Sequence, residues 1–160
     1  MEPRMTNPAL SIPGALDALQ AFSHAADQAA REAGVPQTTI DLVSLRASQI
    51  NGCAVCLDMH SRAGQKRGIS VQQLATLAAW RDAPYFDDAE RAVLALTEAG
   101  TRLADRGDPV PDEVYQAAAK HFDDRGMAAI VASIAAINTW NRLNVITGQV
   151  AGDWTARWAS

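Results

Sequence analysis

The residues of this chain that are best suited to chemistry are two cysteines and a histidine in one short segment, SQINGCAVCLDMHSRAG. On an α-helix, Cys53 and Cys56 are neighbours at i,i+3, and Cys56 and His60 are neighbours at i,i+4. All three side chains then point the same way, because the segment from Cys53 to His60 spans about two turns. This pattern favours thiolate chemistry, since the thiolate is the reactive form of cysteine and an imidazole can accept its proton.

The dipeptide Asn51-Gly52 just before the cysteines predicts a break in the chain and the start of a new helix. The cysteines would then lie in the first turn, where unpaired backbone N–H groups and the positive end of the helix dipole stabilise a thiolate. A free thiol with a pKa of about 8.5 is only about 3% thiolate at pH 7. Lowering that pKa by about two units requires about 2.7 kcal/mol. A helix N-terminus supplies up to about 2 kcal/mol, and proton acceptance by His60 supplies the rest.

Other interpretations of this cluster are open at this point. The three side chains could bind zinc, with His24, His121 or Asp41 as the fourth ligand, although no second CxxC or HxxxH accompanies them. The two cysteines could also be small apolar residues of the core. Haem attachment is excluded, because it requires CxxCH and His60 lies too far along the chain.

The elements that must position these residues are predicted to be helices. Alanine, the best helix former, occurs 32 times in the 160 residues, and the 7 prolines and 10 glycines fall between apolar runs. No strand pattern, repeat or linker interrupts the sequence, which predicts a single all-α domain over residues 1–160. The turn signals divide it into a bundle of about seven helices: 13–33, 36–51, 53–68, 70–83, one from Asp87 or Asp88 to Gly107, 111–122, and one from Asp123 or Asp124 to Thr147.

Composition and charge argue against several partners. A formal net charge of −4 and a pI near 5.2 do not suit a nucleic acid or an anionic membrane. The longest apolar run, MAAIVASIAAI, covers only 127–137, whereas a membrane span needs about 20 residues. The N-terminal residues do not resemble a signal peptide, and two closely spaced cysteines do not make a secreted disulfide scaffold. We therefore expect a cytoplasmic protein with no membrane or nucleic-acid partner.

The same apolar run predicts self-association. It is apolar nearly all round, so its helix has to be buried on all sides. Several other alanine-rich helices compete for the core, so we expect a homo-oligomer that buries surplus apolar area at roughly 25 cal/mol per Å². Trp154 and Trp158, near the C-terminus, are expected to dock on a groove of the same subunit or of a neighbour.

The segment IDLVSLRASQINGCAVCLDMH resembles the alkylhydroperoxidase D (AhpD)-like branch of the carboxymuconolactone decarboxylase family, whose motif is an acid, eleven residues and then CxxCxxxH. The resemblance continues through FDDAERAVLALTEA, VPDEVYQAAAKHF and AAINTWNRLNV, and covers most of 36–146. It implies an all-helical AhpD-like bundle, assembled as trimers or hexamers, that reduces organic hydroperoxides with thiols. It implies no cofactor and no metal.

The resemblance also implies a role for each site residue. Cys56 corresponds to the peroxidatic cysteine, Cys53 to its resolving partner and His60 to part of a proton relay. Asp41 stands where the family has a glutamate, one methylene longer, so a water bridge to the relay is expected. On one straight helix Asp41 and Cys56 would be about 22 Å apart, so the relay requires the Asn-Gly break to fold the chain back. As an alternative, Asp41 is explained by the helix dipole if it lies in a first turn.

The implied mechanism forms a sulfenic acid on Cys56 and then a disulfide with Cys53. Helical Cβ atoms at i,i+3 lie about 5–6 Å apart, whereas a disulfide requires about 3.5–4.5 Å, so a strained and easily reduced disulfide is expected. The reductant would be a dithiol, either a lipoyl group or a thioredoxin-like protein. Decarboxylase or lactone chemistry, which other branches of the family perform, and a non-enzymatic redox sensor are the alternative functions.

The remaining polar residues are predicted to be structural. We expect His24 and His121 to lie on helix surfaces or ends, and Glu90 and Arg91 to belong to a solvated face or a salt bridge. Three further residues interrupt the apolar last helix and are expected to form a structural network or a subunit contact: Asn138, Asn141 and Arg142.

Overall fold

The computed structural model of the chain describes residues 2–105 and 107–152. These residues form eight α-helices and two short 3₁₀ turns, with no strand among them, which confirms the all-α prediction. The helices are α1 (Pro8–Ser11), α2 (Ala15–Glu32), α3 (Gln37–Asn51), α4 (Ala54–Arg67), α5 (Val71–Thr76), α6 (Asp88–Thr101), α7 (Asp112–Ala119) and α8 (Asp124–Thr147). Trp154 and Trp158 lie outside the described residues.

The predicted helix starts are confirmed where a short polar side chain precedes the helix. The Ser70 hydroxyl accepts a hydrogen bond from the backbone N–H of Gln73 at the start of α5. Asp87, rather than Asp88, caps α6, and the Glu90 side chain returns a bond to the Asp87 N–H. Asp123 caps α8. Glu90 is therefore half of a capping box. The prediction that it belongs to a solvated face or a salt bridge missed this role.

The helix bounds differ from the predicted ones in three places. The four-residue α1 was not predicted, because its signal is a single capping residue, Asn7, before a proline. The helix predicted over 70–83 ends at Thr76, and a 3₁₀ turn over Leu77–Ala79 follows it. The helix predicted to reach Gly107 ends at Thr101. There the Arg102 N–H donates to the Ala99 carbonyl, three residues earlier, as well as to the Glu98 carbonyl, four residues earlier.

The helix that the rest of the chain encloses most completely is α3. Ten consecutive residues of α3, from Thr39 to Ser48, are buried, because α2, α4, α6 and α8 all pack against it. In α8, the outward residues Ala128, Val131, Ala135 and Thr139 are exposed in the single chain, and Val131 is 47% exposed. One face of α8 is thus left uncovered.

The buried carboxylate of Glu98 lies between α3, α6 and the 3₁₀ turn after α5. The Glu98 carboxylate accepts hydrogen bonds from Arg46 Nε (2.7 Å), Arg81 Nη1 (2.9 Å) and Trp80 Nε1 (3.0 Å). Burial alone would raise the pKa of Glu98, but these hydrogen bonds and the nearby Arg46 charge outweigh it and hold that pKa below its usual range. We call these four residues the Glu98 cluster.

Arg91 occupies an adjacent position and was predicted incorrectly as part of a solvated face or a salt bridge. Its guanidinium donates to the backbone carbonyls of Phe86, Trp80, Arg81 and Ala83. These carbonyls belong to the irregular segment between α5 and α6, whose polar backbone groups need partners when they are buried. Arg91 therefore stabilises the connection between α5 and α6.

No helix in the described part of the chain is long and apolar enough to cross a membrane.

Candidate active site

The turn between α3 and α4 brings distant parts of the motif together. Gly52 ends α3 in the left-handed conformation (φ 70°), which glycine adopts without steric penalty. The chain then reverses, and α4 packs along α3. As a result Asp41 Oδ1 lies 3.9 Å from His60 Nδ1 instead of several helical turns away. The chain reversal that the relay requires is thus present.

The two cysteines lie at the start of α4, as the Asn-Gly break predicts, but only one is helical. Cys53 is the N-cap, in extended conformation (φ −86°, ψ 95°), and its sulfur accepts the backbone N–H of Cys56. Both cysteines are free, and their sulfur atoms are 2.7 Å apart. The expectation of a strained disulfide assumed two helical cysteines. It loses that basis, because the N-cap conformation already turns Cys53 onto Cys56.

The thiol pair shares its protons unequally. Chiefly because the Cys56 thiol donates a hydrogen bond to it, the pKa of Cys53 is lowered to about 6, against the opposing effect of burial. The bond to the Cys56 backbone N–H at the helix N-terminus lowers it further. The pKa of Cys56 is raised, first by that same bond to Cys53 and then by burial. The pair therefore titrates as a unit, with its first negative charge on Cys53 and the proton on Cys56.

Asn144 of α8 completes the surroundings of the sulfur atoms. Its Nδ2 group lies 3.4 Å from Cys56 Sγ and 3.7 Å from Cys53 Sγ, and the residue is buried. Sequence reasoning missed it. A signal was available, since Asn138, Asn141 and Asn144 are spaced three residues apart and share one stripe of the helix.

The other two asparagines of that stripe form the predicted structural network. Asn51 Nδ2 donates to the side-chain oxygens of both Asn138 and Asn141, each at 2.9 Å. Asn141 in turn donates to Ser48 Oγ at 3.0 Å. Arg142 Nη1 donates to the carbonyl and side-chain oxygens of Asn138. The network ties the end of α3, just before the cysteines, to α8.

Asp41 is buried and paired with an arginine that sequence reasoning also missed. Both of its carboxylate oxygens accept from Arg67 Nη1 at 2.8 Å. Asp41 lies beyond the first turn of α3, which begins at Gln37, so the interpretation of it as a dipole-stabilising residue is wrong. The 3.9 Å to His60 exceeds a hydrogen bond, and a water between them would fit the one-methylene shortening.

A cavity of about 250 Å³ opens beside the thiols, between α2, α3, α4 and α8. Cys56 and His60 line it, whereas Cys53 lies behind Cys56 and does not. Most of the wall is apolar, with a few polar groups from α2 near Trp140, whose indole N–H donates to Ser23 Oγ at 3.0 Å. The lining side chains comprise Gln20, Ser23, His24, Ala26, Asp27, Ile40, Ser44, Val55, Cys56, Met59, His60, Ser133, Ala136, Ile137, Trp140 and Asn144. Of the two thiols, only Cys56 is therefore open to a small molecule in this cavity.

The zinc interpretation finds no support in the described residues. No group of three histidine, cysteine, aspartate or glutamate side chains there is arranged to hold a metal ion. Of the suggested fourth ligands, Asp41 is bound by Arg67. His24 lines the cavity from α2 and is therefore part of the site's wall, while His121 lies beside Phe122, with ring centroids 6.5 Å apart.

Comparison with known proteins shows the family of this chain. Residues 13–99 match the carboxymuconolactone decarboxylase family, and the chain belongs to that family. It is 35% identical over 121 residues to the uncharacterized protein YdfG of Bacillus subtilis (strain 168), covering 76% of this chain and 81% of YdfG. It is 33% identical over 103 residues to the uncharacterized protein YnjA of Escherichia coli (strain K12), covering 64% of this chain and 55% of YnjA.

A solved structure extends the likeness to nearly the whole chain. The crystal structure of ATU0492 from Agrobacterium tumefaciens aligns with a TM-score of 0.82 and 35% sequence identity, over 94% of this chain and 98% of that one. ATU0492 is a protein of unknown function that has been assigned provisionally to antioxidant defence as AhpD. The AhpD-like fold inferred from the motif is thereby confirmed.

Proposed function

We propose that this protein is a thiol-dependent peroxidase that reduces organic hydroperoxides with the Cys53–Cys56 pair. The observation that carries the proposal is the thiol pair itself: two free sulfurs 2.7 Å apart at the N-terminus of α4, one of them facing an apolar cavity. The AhpD assignment of ATU0492 supports the same activity class. Lactone chemistry has no comparable support, because it makes no use of paired thiols.

The reaction begins with Cys56 as the nucleophile, because Cys56 is the sulfur that lines the cavity. Its proton passes to Cys53 along the sulfur–sulfur hydrogen bond, and the Cys56 thiolate attacks the terminal oxygen of the hydroperoxide. The O–O bond breaks, Cys56 becomes a sulfenic acid, and the alkoxide leaves. The alkoxide takes a proton from His60, or from a water held between His60 and Asp41, and departs as the alcohol.

The second step oxidises the pair. Cys53 attacks the sulfur of the Cys56 sulfenic acid, and its proton leaves with the hydroxyl group as water. One hydroperoxide and two thiols thus give one alcohol, one water and one disulfide, with both electrons supplied by the cysteines. The cycle closes when an external dithiol reduces the disulfide. We propose a lipoyl group or a thioredoxin-like protein in a cytoplasmic setting for that role.

The test is the second-order rate of the reduced protein with cumene hydroperoxide, measured by stopped flow. We expect a rate well above that of free cysteine at the same pH, because the pair is already ionised where a free thiol is not. A rate equal to that of free cysteine would contradict peroxidase activity and favour a sensor or a structural pair.

The two cysteines are distinguished by trapping the sulfenic acid with dimedone. Cys53→Ser should accumulate a dimedone adduct on Cys56 after one addition of hydroperoxide, and Cys56→Ser should give none. The low pKa of Cys53 favours the opposite assignment, and the cavity favours this one. An adduct on Cys53 in the Cys56→Ser protein would reverse the roles.

We also propose that the protein works as a homo-oligomer, a trimer or hexamer by resemblance to its family. The uncovered face of α8 supports this, because Val131 and the alanines beside it are exposed in the single chain. Light scattering should give a particle several times the 17.1 kDa of one chain. A stable single-chain particle at micromolar concentration would contradict the proposal.

A further inference from the structure

The N-terminal segment of residues 4–12, here called the strap, is fastened to the end of α8. The Arg4 backbone N–H donates to the Thr147 carbonyl at 2.8 Å, and the Arg4 guanidinium to the Ile146 carbonyl at 3.0 Å. Gln149 Nε2 donates to the Met5 carbonyl at 2.9 Å. The strap precedes residues 13–99, which match the family, so it lies outside the matched part of the chain.

A continuous line of amide hydrogen bonds runs from the strap to the two sulfurs. The Ala9 backbone N–H donates to Asn7 Oδ1 at 2.9 Å, and Asn7 Nδ2 donates to Asn144 Oδ1 at 2.7 Å. Asn144 Nδ2 then faces Cys56 Sγ at 3.4 Å and Cys53 Sγ at 3.7 Å. Three bonded links thus join a backbone amide of α1 to the thiol pair.

The direction of each side-chain amide in this line is determined. A backbone N–H can only donate, so the Asn7 oxygen must face Ala9 and the Asn7 NH₂ group must face Asn144. Asn144 must then present its oxygen to Asn7 and its NH₂ group to the sulfurs. Were Asn144 turned over, its oxygen would face a thiolate and its NH₂ group would face another NH₂ group, both repulsive contacts.

Burial holds this arrangement in place. Asn7 is 1% exposed and Asn144 is 5% exposed, so water is excluded from most of their surface. A buried amide that lost its partner would remain unsatisfied, which is far more unfavourable inside the protein than at its surface. The Asn144 amide is therefore held in the orientation that stabilises a negative charge on either sulfur.

We propose that Asn144 is a thiolate-stabilising residue and that Asn7 is a positioning residue that fixes the direction of the Asn144 amide from the N-terminal strap. This rests on the proposed function, since a stabilised thiolate matters only if the pair reacts. Because Asn144 reaches both sulfurs, it can stay bonded while the negative charge moves from Cys53 to Cys56 at the moment of attack. The strap, although far from the motif in sequence, thereby forms part of the redox site.

The test measures the thiolate directly, from the pH dependence of alkylation by iodoacetamide and of absorbance at 240 nm. Asn144→Ala removes the donor and should raise the apparent pKa of the pair by about one unit, a tenfold loss of thiolate below that pKa. Asn7→Ser keeps a side chain that can cap α1 but is too short to donate to Asn144. It should raise the same pKa by about half a unit.

Gln149→Ala is the matched control, because it removes the side chain that holds the strap at Met5 and keeps the backbone N–H that donates to the Asn144 carbonyl. It should leave the thiol pKa unchanged, whatever it does to the melting temperature. If Asn7→Ser and Asn144→Ala lower the melting temperature but leave the thiol pKa at the wild-type value, the asparagines are only structural and the inference is wrong. If Asn144→Ala does not fold, Asn7→Ser decides alone, with the same readout.

The outcome can be separated from that of the proposed function, because alkylation needs no hydroperoxide. Wild-type protein that fails to consume cumene hydroperoxide, while the two variants still shift the thiol pKa, would overturn the peroxidase proposal and leave this inference standing. Peroxidase activity in the wild-type protein, with an unshifted thiol pKa in both variants, would support the peroxidase proposal and overturn this inference.

Discussion

The Glu98 cluster and the Cys53–Cys56 pair are both buried polar groups that pack against α3, yet they are built differently. The Glu98 carboxylate accepts hydrogen bonds from two guanidinium groups and an indole N–H, and a third guanidinium, that of Arg102, lies 3.9 Å away, so its negative charge is balanced by positive charge. The donors around the thiol pair are neutral: the amides of Asn144 and Asn141 and a backbone N–H at the start of α4. One site neutralises its anion, and the other holds its anion only with dipoles.

The two sites also differ in how accessible the anion is. Glu98 is enclosed by its donors, whereas Cys56 lines a cavity of about 250 Å³. A buried anion with all its partners in place holds secondary-structure elements together and is not available to react. The thiol pair lies at a helix N-terminus, whose dipoles hold it in the thiolate form, and Cys56 lines an apolar cavity from which it can react. We therefore expect Glu98 to contribute to stability, and Cys56 to carry the proposed chemistry.

The largest effect is expected from Cys56→Ser, which removes the sulfur that faces the cavity. Hydroperoxide consumption should be abolished, because serine is not ionised at neutral pH. The free energy of unfolding should change by no more than about 1 kcal/mol, since a hydroxyl can replace the thiol as a hydrogen-bond partner. Consumption assays and urea titrations on the same preparations measure both quantities. Activity in this variant would contradict the assignment.

The converse is expected of Glu98→Gln, which keeps the shape of the side chain and removes its charge. Unfolding should become easier by about 3 kcal/mol, because Arg46, 8% exposed, would be left as an unpaired buried charge. The rate of peroxide reduction per folded molecule should be unchanged. Loss of that rate with stability intact would mean that the two sites are coupled and that the comparison is wrong.

Acid titration tests how much the Glu98 cluster contributes to stability, by comparing the wild-type protein with Glu98→Gln. Because the pKa of Glu98 is lowered in the folded protein, the unfolded state binds its proton more readily. The stabilisation is present above the ordinary glutamate pKa of about 4.3 and is lost as the pH falls through the lowered value. Wild-type protein should lose more stability than Glu98→Gln between about pH 5 and pH 3. Parallel curves for the two proteins would exclude this contribution.

His60→Gln should have a smaller effect, confined to the rate. Glutamine keeps a polar side chain at the cavity but cannot take up or release the proton, so the second-order rate should fall by about 100-fold. Both thiols should still form a disulfide when oxidised. His121→Gln, in the exposed turn between α7 and α8, is the control and should keep the wild-type rate. Equal rates for the two variants would remove His60 from the proton relay.

The smallest effect is expected from Arg67→Gln, which tests the intermediate case of a carboxylate with one cationic donor near the thiols. Removing the donor leaves the buried Asp41 unsatisfied, and unfolding should become easier by about 1 kcal/mol, since Arg67 itself is 45% exposed. Arg62→Gln, in the exposed pair with Asp58 on the same helix, should change stability by only about 0.3 kcal/mol. Similar losses in chemical denaturation would show that burial of Asp41 adds nothing.

Local features of the fold were predictable, and long-range ones were not. The caps at Ser70, Asp87 and Asp123 follow from the residues within one turn, and so do the Asn-Gly break and the start of α4. The motif of Cys53, Cys56 and His60 is equally local. Helix bounds failed where no local signal marks the end, as at Thr76, because the 3₁₀ turn over Leu77–Ala79 that follows contains no glycine or proline.

Side-chain contacts between residues that are far apart in sequence have no such local signal. Asn7 and Asn144 are 137 residues apart, and Arg46 and Glu98 are 52 apart. Their pairing depends on how α1, α3, α6 and α8 pack, which periodicity does not specify. Asparagine spacing along α8 indicated a polar stripe but not that its last member reaches the sulfurs. Prediction of the site therefore stopped at the residues of one helix and its neighbour.

The most direct test of the peroxidase assignment is the product made by one turnover without a reductant. Reduced protein should consume one equivalent of cumene hydroperoxide, release one equivalent of the corresponding alcohol, and lose the mass of two hydrogens as Cys53 and Cys56 form an intramolecular disulfide. Mass spectrometry of the intact chain and of the peptide that contains both cysteines measures this. An unchanged mass with the hydroperoxide left intact, or an added oxygen that never resolves to a disulfide, would contradict it.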